Sequence, residues 1–168
     1  NDIEMSAELM TACSVIENQL WAKLSPNTDR VIAVAQAVHE AGAEAVTLIN
    51  TVVGMALDPE SGRPALGNGG GGISGRAIHP VAVRTVFDVH AALPNLPIVG
   101  VGGVTSGWEA AELMLAGASA VQVGTATFAD PRACFKIAGE LSEWVTRHGL
   151  TEVASLTGLA HRGGLTPS

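Results

Sequence analysis

IVGVGGVTSG, residues 98–107, and AVQVGTATF, residues 120–128, decide the fold. Each begins as an apolar run of strand type. Each leaves that run through residues with little or no side chain, Gly102 and Gly103 in the first and Gly124 and Thr125 in the second. Helical spacing follows both, SGWEAAELMLAG from Ser106 and a longer pattern over roughly 131–147. A bare backbone at a strand's carboxyl end lets an anion reach the amide N–H groups, and a helix beginning beyond it adds a favourable dipole. On adjacent strands the two glycine ends would meet at one phosphate, although either alone also serves as a tight turn.

The same strand-then-helix unit recurs upstream. LWAKLS (20–25) is broken by Ser25-Pro26-Asn27, and Asp29 is placed to cap a helix through VIAVAQAVHEAG that stops at Gly42. AVTLIN (45–50) precedes a glycine-rich loop over 51–78, in which Asp58-Pro59-Glu60-Ser61-Gly62 reads as a hairpin turn. Pro80 sits in the first turn of the next helix. MSAELMTACSVIENQ forms a leading helix, and the tail from Thr151 to Ser168 holds a short helix at most. Four strands, each followed by a helix, imply a parallel sheet. Their apolar runs do not alternate, so both sheet faces are expected to be covered. A doubly wound open sheet and part of an eight-stranded barrel both fit. A whole barrel takes about 250 residues, more than the 168 here.

Composition narrows the function. Hydrophobic residues make up 47% and charged residues 15%, as in a packed globular domain. The net charge of -7 argues against nucleic acid or an anionic membrane as partner. No run reaches membrane-spanning length. Two cysteines, Cys13 and Cys134, fall in helical patterns and are expected to be buried thiols, in a reducing cytoplasm. No spacing suits a metal or a Ser/His/Asp arrangement. The chain opens at Asn1 as if in mid-fold, so it is expected to be a piece of a longer protein.

Function in such folds gathers at the carboxyl ends of strands. Those ends carry Lys23, then Asn50 and Thr51, then Gly102 with Gly103, then Gly124 with Thr125; the long loop adds Ser74 and Gly75. Lysine in an apolar strand either faces a pocket or is paired, since burying it alone is costly. Asn50 and Thr51 suit a planar polar ligand or a turn. His79 is ambiguous, whereas His39, His90, His148 and His161 are expected to be solvated.

Taken together, KLSPN (23–27), TLINTVVGM (47–55), GGISGRAIHPVAVR (71–84), VGVGGVTS (99–106) and GASAVQVGTATFADP (117–131) resemble the dihydroorotate dehydrogenases, above all the class 1B flavin subunits. The likeness runs from Asn1 to about Gly149. It implies an α/β fold, the C-terminal half of a (β/α)8 TIM barrel with four βα units, as a single FMN-binding domain over 1–168. It implies FMN contacts at Lys23, Ile49 and Gly75, with Lys23 at the pyrimidine edge of the ring. It places the FMN phosphate on Gly102, Gly103, Gly124 and Thr125, where a side chain at Gly103 would fill the phosphate's space. Dihydroorotate or orotate would meet Asn50 and Thr51.

The reaction implied is oxidation of dihydroorotate in pyrimidine biosynthesis, with a base taking the C5 proton as hydride passes from C6 to the flavin. Electrons would go on to an iron–sulfur/FAD subunit, and a homodimer or higher oligomer is expected. The family's base is a cysteine in a Cys-Pro-Asn motif, which this chain lacks, so the chain alone is expected to be inactive. Arg76 and His79 also depart from the family, which usually has Pro and Lys there. The competing readings are the FMN module of a dihydropyrimidine dehydrogenase, a non-catalytic flavin- or phosphate-binding barrel piece, and half of a phosphate-sugar isomerase barrel.

Overall fold

The computed structural model describes residues 2–165. In chain order the elements are α1 (Ile3–Cys13), β1 (Trp21–Leu24), α2 (Val31–Glu40), β2 (Ala45–Leu48), β3 (Val52–Met55), β4 (Leu57–Asp58), β5 (Arg63–Pro64), β6 (Gly70–Ile73), α3 (His79–Ala92), β7 (Ile98–Val101), α4 (Gly107–Ala116), β8 (Ala120–Gln122), α5 (Ala126–Ala129) and α6 (Ala133–Arg147). Two 3-10 turns, Val153–Leu156 and Leu159–Arg162, carry the tail expected to hold little helix. The end of that tail, 166–168, lies outside the described residues.

The main sheet is parallel throughout, in the order β1-β2-β7-β8. That order settles the choice left open by the sequence. A doubly wound sheet reverses strand order at a switch point; here each strand joins the far edge of the one before. With right-handed crossovers this lays every helix on one face. Accordingly α1 packs on α2, α2 on α3, α3 on α4 and α4 on α6, forming one outer layer. The arrangement is an arc of four βα units, half of a (β/α)8 barrel.

Alternation within the strands follows from that geometry. Leu24, Val46, Leu48 and Ile98 pack outward into the helix layer with Val86, Val89 and Leu113. Each fully buried side chain of this kind stabilises the fold by about 1.5–3 kcal/mol. The opposite face differs from expectation. Only the central strands are covered on both sides; Trp21 and Lys23 on β1, and Ala120 and Gln122 on β8, are exposed. Edge strands of an arc have no neighbour beyond them, and an apolar sequence cannot report this.

Three further expectations change. Both cysteines are exposed, Cys134 on an open hollow that it lines with Val121, Val123 and Ile137 beside the edge strand β8. The supposed loop over 51–78 holds a β3–β6 hairpin around a smaller β4–β5 hairpin, the latter turning at the DPESG stretch. Asp29 does not cap α2; the cap position is Arg30, whose N–H donates to the Thr28 hydroxyl at 3.1 Å. Gly107 serves close approach of two helices. A Cβ at Gly107 would lie 2.4 Å from the backbone nitrogen of Leu141, so α6 could not seat against the start of α4. There Glu140 accepts the Gly107 N–H at 2.7 Å and caps α4 from outside its own chain segment.

Candidate active site

The carboxyl ends of β1, β2, β7 and β8 open on one cleft of about 380 Å³. Its lining includes every residue expected at the strand ends, in the glycine loop or in contact with cofactor and substrate: Lys23, Ile49, Asn50, Thr51, Ser74, Gly75, Gly102, Gly103, Gly124 and Thr125. Chain segments a hundred residues apart converge because parallel strands in sequential order present the same end to the same side.

At one end of the cleft lies β1. Lys23 is exposed there and has no carboxylate partner among the described residues. Its neighbour across the ladder is Thr47. Among the described residues the lysine is therefore neither buried nor paired, and of the two sequence alternatives it lines the pocket.

The next wall is the end of β2. Asn50 Oδ1 accepts the N–H of Thr51 at 2.9 Å, and the Asn50 NH2 group donates to no other described residue. The Thr51 hydroxyl makes no hydrogen bond among the described residues and lies over Gly72 of β6, where a Cβ would come within 2.3 Å of it. Asn27 holds this wall. Its NH2 donates to the Thr51 carbonyl at 2.9 Å and to the Ser25 hydroxyl at 2.8 Å, while its Oδ1 accepts the Val53 N–H at 2.8 Å. In the sequence Asn27 reads only as part of a strand breaker. A polar residue locked into a Ser-Pro-Asn turn was the signal available.

The far wall is glycine backbone. Gly102 and Gly103 have φ of 139° and 70°, and Gly75 has φ of 86°. Among the described residues no acceptor meets the backbone N–H of Gly103, Gly124 or Thr125. Gly124 lines the cleft, and a Cβ there would meet nothing within 4 Å. Gly103 is different. A Cβ there would come 2.8 Å from the Gly75 carbonyl oxygen and 2.8 Å from His79 Cβ, so it would press on the neighbouring turn rather than fill the phosphate's space. The sequence expectation for Gly103 is corrected on that ground.

Beneath the glycines lies a layer of paired polar side chains. His79 is buried, its Nδ1 2.8 Å from the Gly102 carbonyl oxygen and its Nε2 3.2 Å from Glu112 Oε2. It fixes the loop after β7 and does not line the cleft. Arg76 pairs with Glu109 at 3.1 Å. Glu109 also accepts from the Thr105 N–H at 3.3 Å, from the Thr105 hydroxyl at 3.2 Å and from the Ser106 hydroxyl. Burial pushes the Glu109 carboxyl up, but these hydrogen bonds, with the Arg76 charge, outweigh burial and hold it below the ordinary carboxylate range. Of the other histidines, His39 and His148 are exposed as expected. His90 and His161 are half-buried beside Phe87, where His161 Nε2 lies 3.0 Å from the Ala116 carbonyl oxygen, because the tail folds back over α3 and α4.

The arrangement suits a ligand with an anionic tail, a flat body and a polar rim. An unpaired cation stands at one end, donors stand at the second strand, and unsatisfied amides stand at the last two strands. No group of three or more His, Cys, Asp or Glu among the described residues could hold a metal. None of the helices among them is long and apolar enough to cross a membrane.

A family model described as dihydroorotate dehydrogenase matches residues 1–145. A protein of Solibacter usitatus named putative dihydroorotate dehydrogenase A (fumarate) is 45% identical over 159 residues, 94% of this chain and 52% of that protein. The dihydroorotate dehydrogenase B (NAD(+)) catalytic subunit of Pelobacter propionicus is 46% identical over 158 residues, again 94% of this chain and 52% of its own length. The same-named subunit of Geobacter sp. M21 is 52% identical over 136 residues, 81% of this chain and 44% of that one. The chain spans about half the length of the curated relatives it matches.

Proposed function

The chain belongs to the dihydroorotate dehydrogenase family, and on that premise we propose that its cleft holds FMN beside a dihydroorotate or orotate ring. The complete polypeptide would oxidise dihydroorotate to orotate in pyrimidine biosynthesis, in the cytoplasm. The observation that carries this reading is the convergence of an unpaired Lys23, the Asn50–Thr51 pair and the free amides of Gly103, Gly124 and Thr125 on one cleft.

FMN, when bound, would supply the acceptor for the substrate's hydride. The residues of this chain do the rest of the holding. Free N–H groups at Gly103, Gly124 and Thr125 would bind the phosphate, with Gly102 shaping the turn. Ile49 and Gly75 would border the ring, and Lys23 would keep a positive charge at its pyrimidine edge. The Asn50 NH2 and the Thr51 hydroxyl would orient the substrate. No cysteine, histidine or carboxylate lines the cleft among the described residues. The family resemblance implies that the base for the C5 proton would come from a segment upstream of this region, so these residues alone would not turn over substrate. Relatives named as catalytic subunits support a partner subunit, and the family resemblance implies that it would carry iron–sulfur and FAD. A homo-oligomer is proposed as well, with no nucleic acid or membrane as partner.

A site built on hydrogen bonds is penalised when one partner is removed, by about 1–3 kcal/mol. Asn50→Ala is thus expected to weaken orotate binding about tenfold or more while FMN stays bound. Titration of the flavin spectrum with orotate measures this, and equal affinity in the two proteins would remove Asn50 from the substrate site.

A further inference from the structure

We propose that Arg76 is a specificity-determining residue of this cleft: by pairing with the buried Glu109 it cancels a negative charge beneath the glycine cradle and so permits a phosphorylated ligand there. The inference rests on the reading of the cleft as an FMN site. Glu109 lies in the first turn of α4 and takes its hydrogen bonds from Thr105 and Ser106, just beyond the Gly102–Gly103 turn. Its side chain is 9% exposed. A phosphate bound to the cradle amides would sit beside that carboxylate, which the same hydrogen bonds hold in its charged form. Like charges repel strongly where water is scarce.

Arg76 lines the cleft next to Gly75, and its Cα lies 3.1 Å from where a Gly103 Cβ would stand. Its guanidinium reaches Glu109 Oε1 at 3.1 Å. The arginine side chain is 75% exposed, so the pair adds little to stability. Its consequence is electrostatic. Without Arg76 the cradle would offer amide donors set above an uncompensated anion.

The test compares FMN with riboflavin, which differ only by the phosphate, by quenching of flavin fluorescence in the complete polypeptide. The native protein is expected to prefer FMN strongly. Arg76→Gln should cut that preference by about tenfold or more, the scale of one uncompensated charge beside an anion, by weakening FMN much more than riboflavin. Arg76→Lys should keep most of the preference. Adding Glu109→Gln to Arg76→Gln should restore it. An unchanged FMN-to-riboflavin ratio in Arg76→Gln, or an equal loss of both ligands, would overturn the inference. If glutamine disturbs the turn, failure of Arg76→Lys to keep the ratio would overturn it as well. A native protein with no preference for FMN would instead refute the reading of the cleft on which the inference stands.

Discussion

Lys23→Ala is expected to slow reduction of the bound flavin by dihydroorotate about a hundredfold, while FMN affinity falls by much less. Lys23 and Arg76 are the two cationic side chains lining the cleft, and Arg76 is neutralised by Glu109. Lys23 has no such partner among the described residues, so its charge remains available to the ligand. A fixed charge aimed at a site where negative charge develops acts mainly on the rate. Removing one such group costs about 10²–10³ in other enzymes. Stopped-flow absorbance under anaerobic conditions separates reduction from binding. An unchanged reduction rate would make Lys23 a structural residue.

The second large effect is expected at the last strand. Gly124→Val should remove FMN, weakening it by about a hundredfold, with the fold intact. Its Cβ would meet nothing within 4 Å, so valine fits without disturbing the fold and adds bulk to the part of the cleft that Gly124 and Thr125 line. The same change at Gly103 should behave differently. With φ at 70° and contacts of 2.8 Å to the Gly75 oxygen and His79 Cβ, valine there distorts the backbone and should lower stability by about 2 kcal/mol or more. Thermal melts and extracted flavin, measured on both variants, distinguish the two. A Gly124→Val protein that keeps stoichiometric FMN would exclude these amides as the phosphate site.

The contrast between the two glycines marks how far the sequence could be read. Apolar runs ending in GG and GT identified the strand ends, because hydrophobicity and missing side chains are both local properties. Strand order was not local. Whether β7 joins β2 from the far edge or the near one decides between a barrel arc and a doubly wound sheet, and no residue in either strand reports it. The burial of Cys13 and Cys134 was misjudged for a related reason, since helical spacing shows that a face is apolar without showing which neighbours cover it. The β3–β6 hairpin was hidden because its inner strand, Gly70–Ile73, is mostly glycine and carries almost no strand signal. Asn27, His79 and Glu109 act across 24 to 33 residues of chain, through hydrogen bonds to Thr51, Glu112 and Arg76 that only the folded arrangement reveals.

The central claim is that this cleft binds FMN and presents dihydroorotate to it. The most direct measurement is the visible spectrum of the purified complete polypeptide, recorded anaerobically before and after dihydroorotate is added. The account predicts a yellow protein whose extracted cofactor is FMN, bound one per chain, and whose flavin absorbance bleaches on addition of dihydroorotate. A colourless protein that takes up no added FMN, or a flavoprotein whose spectrum dihydroorotate leaves unchanged, would contradict it.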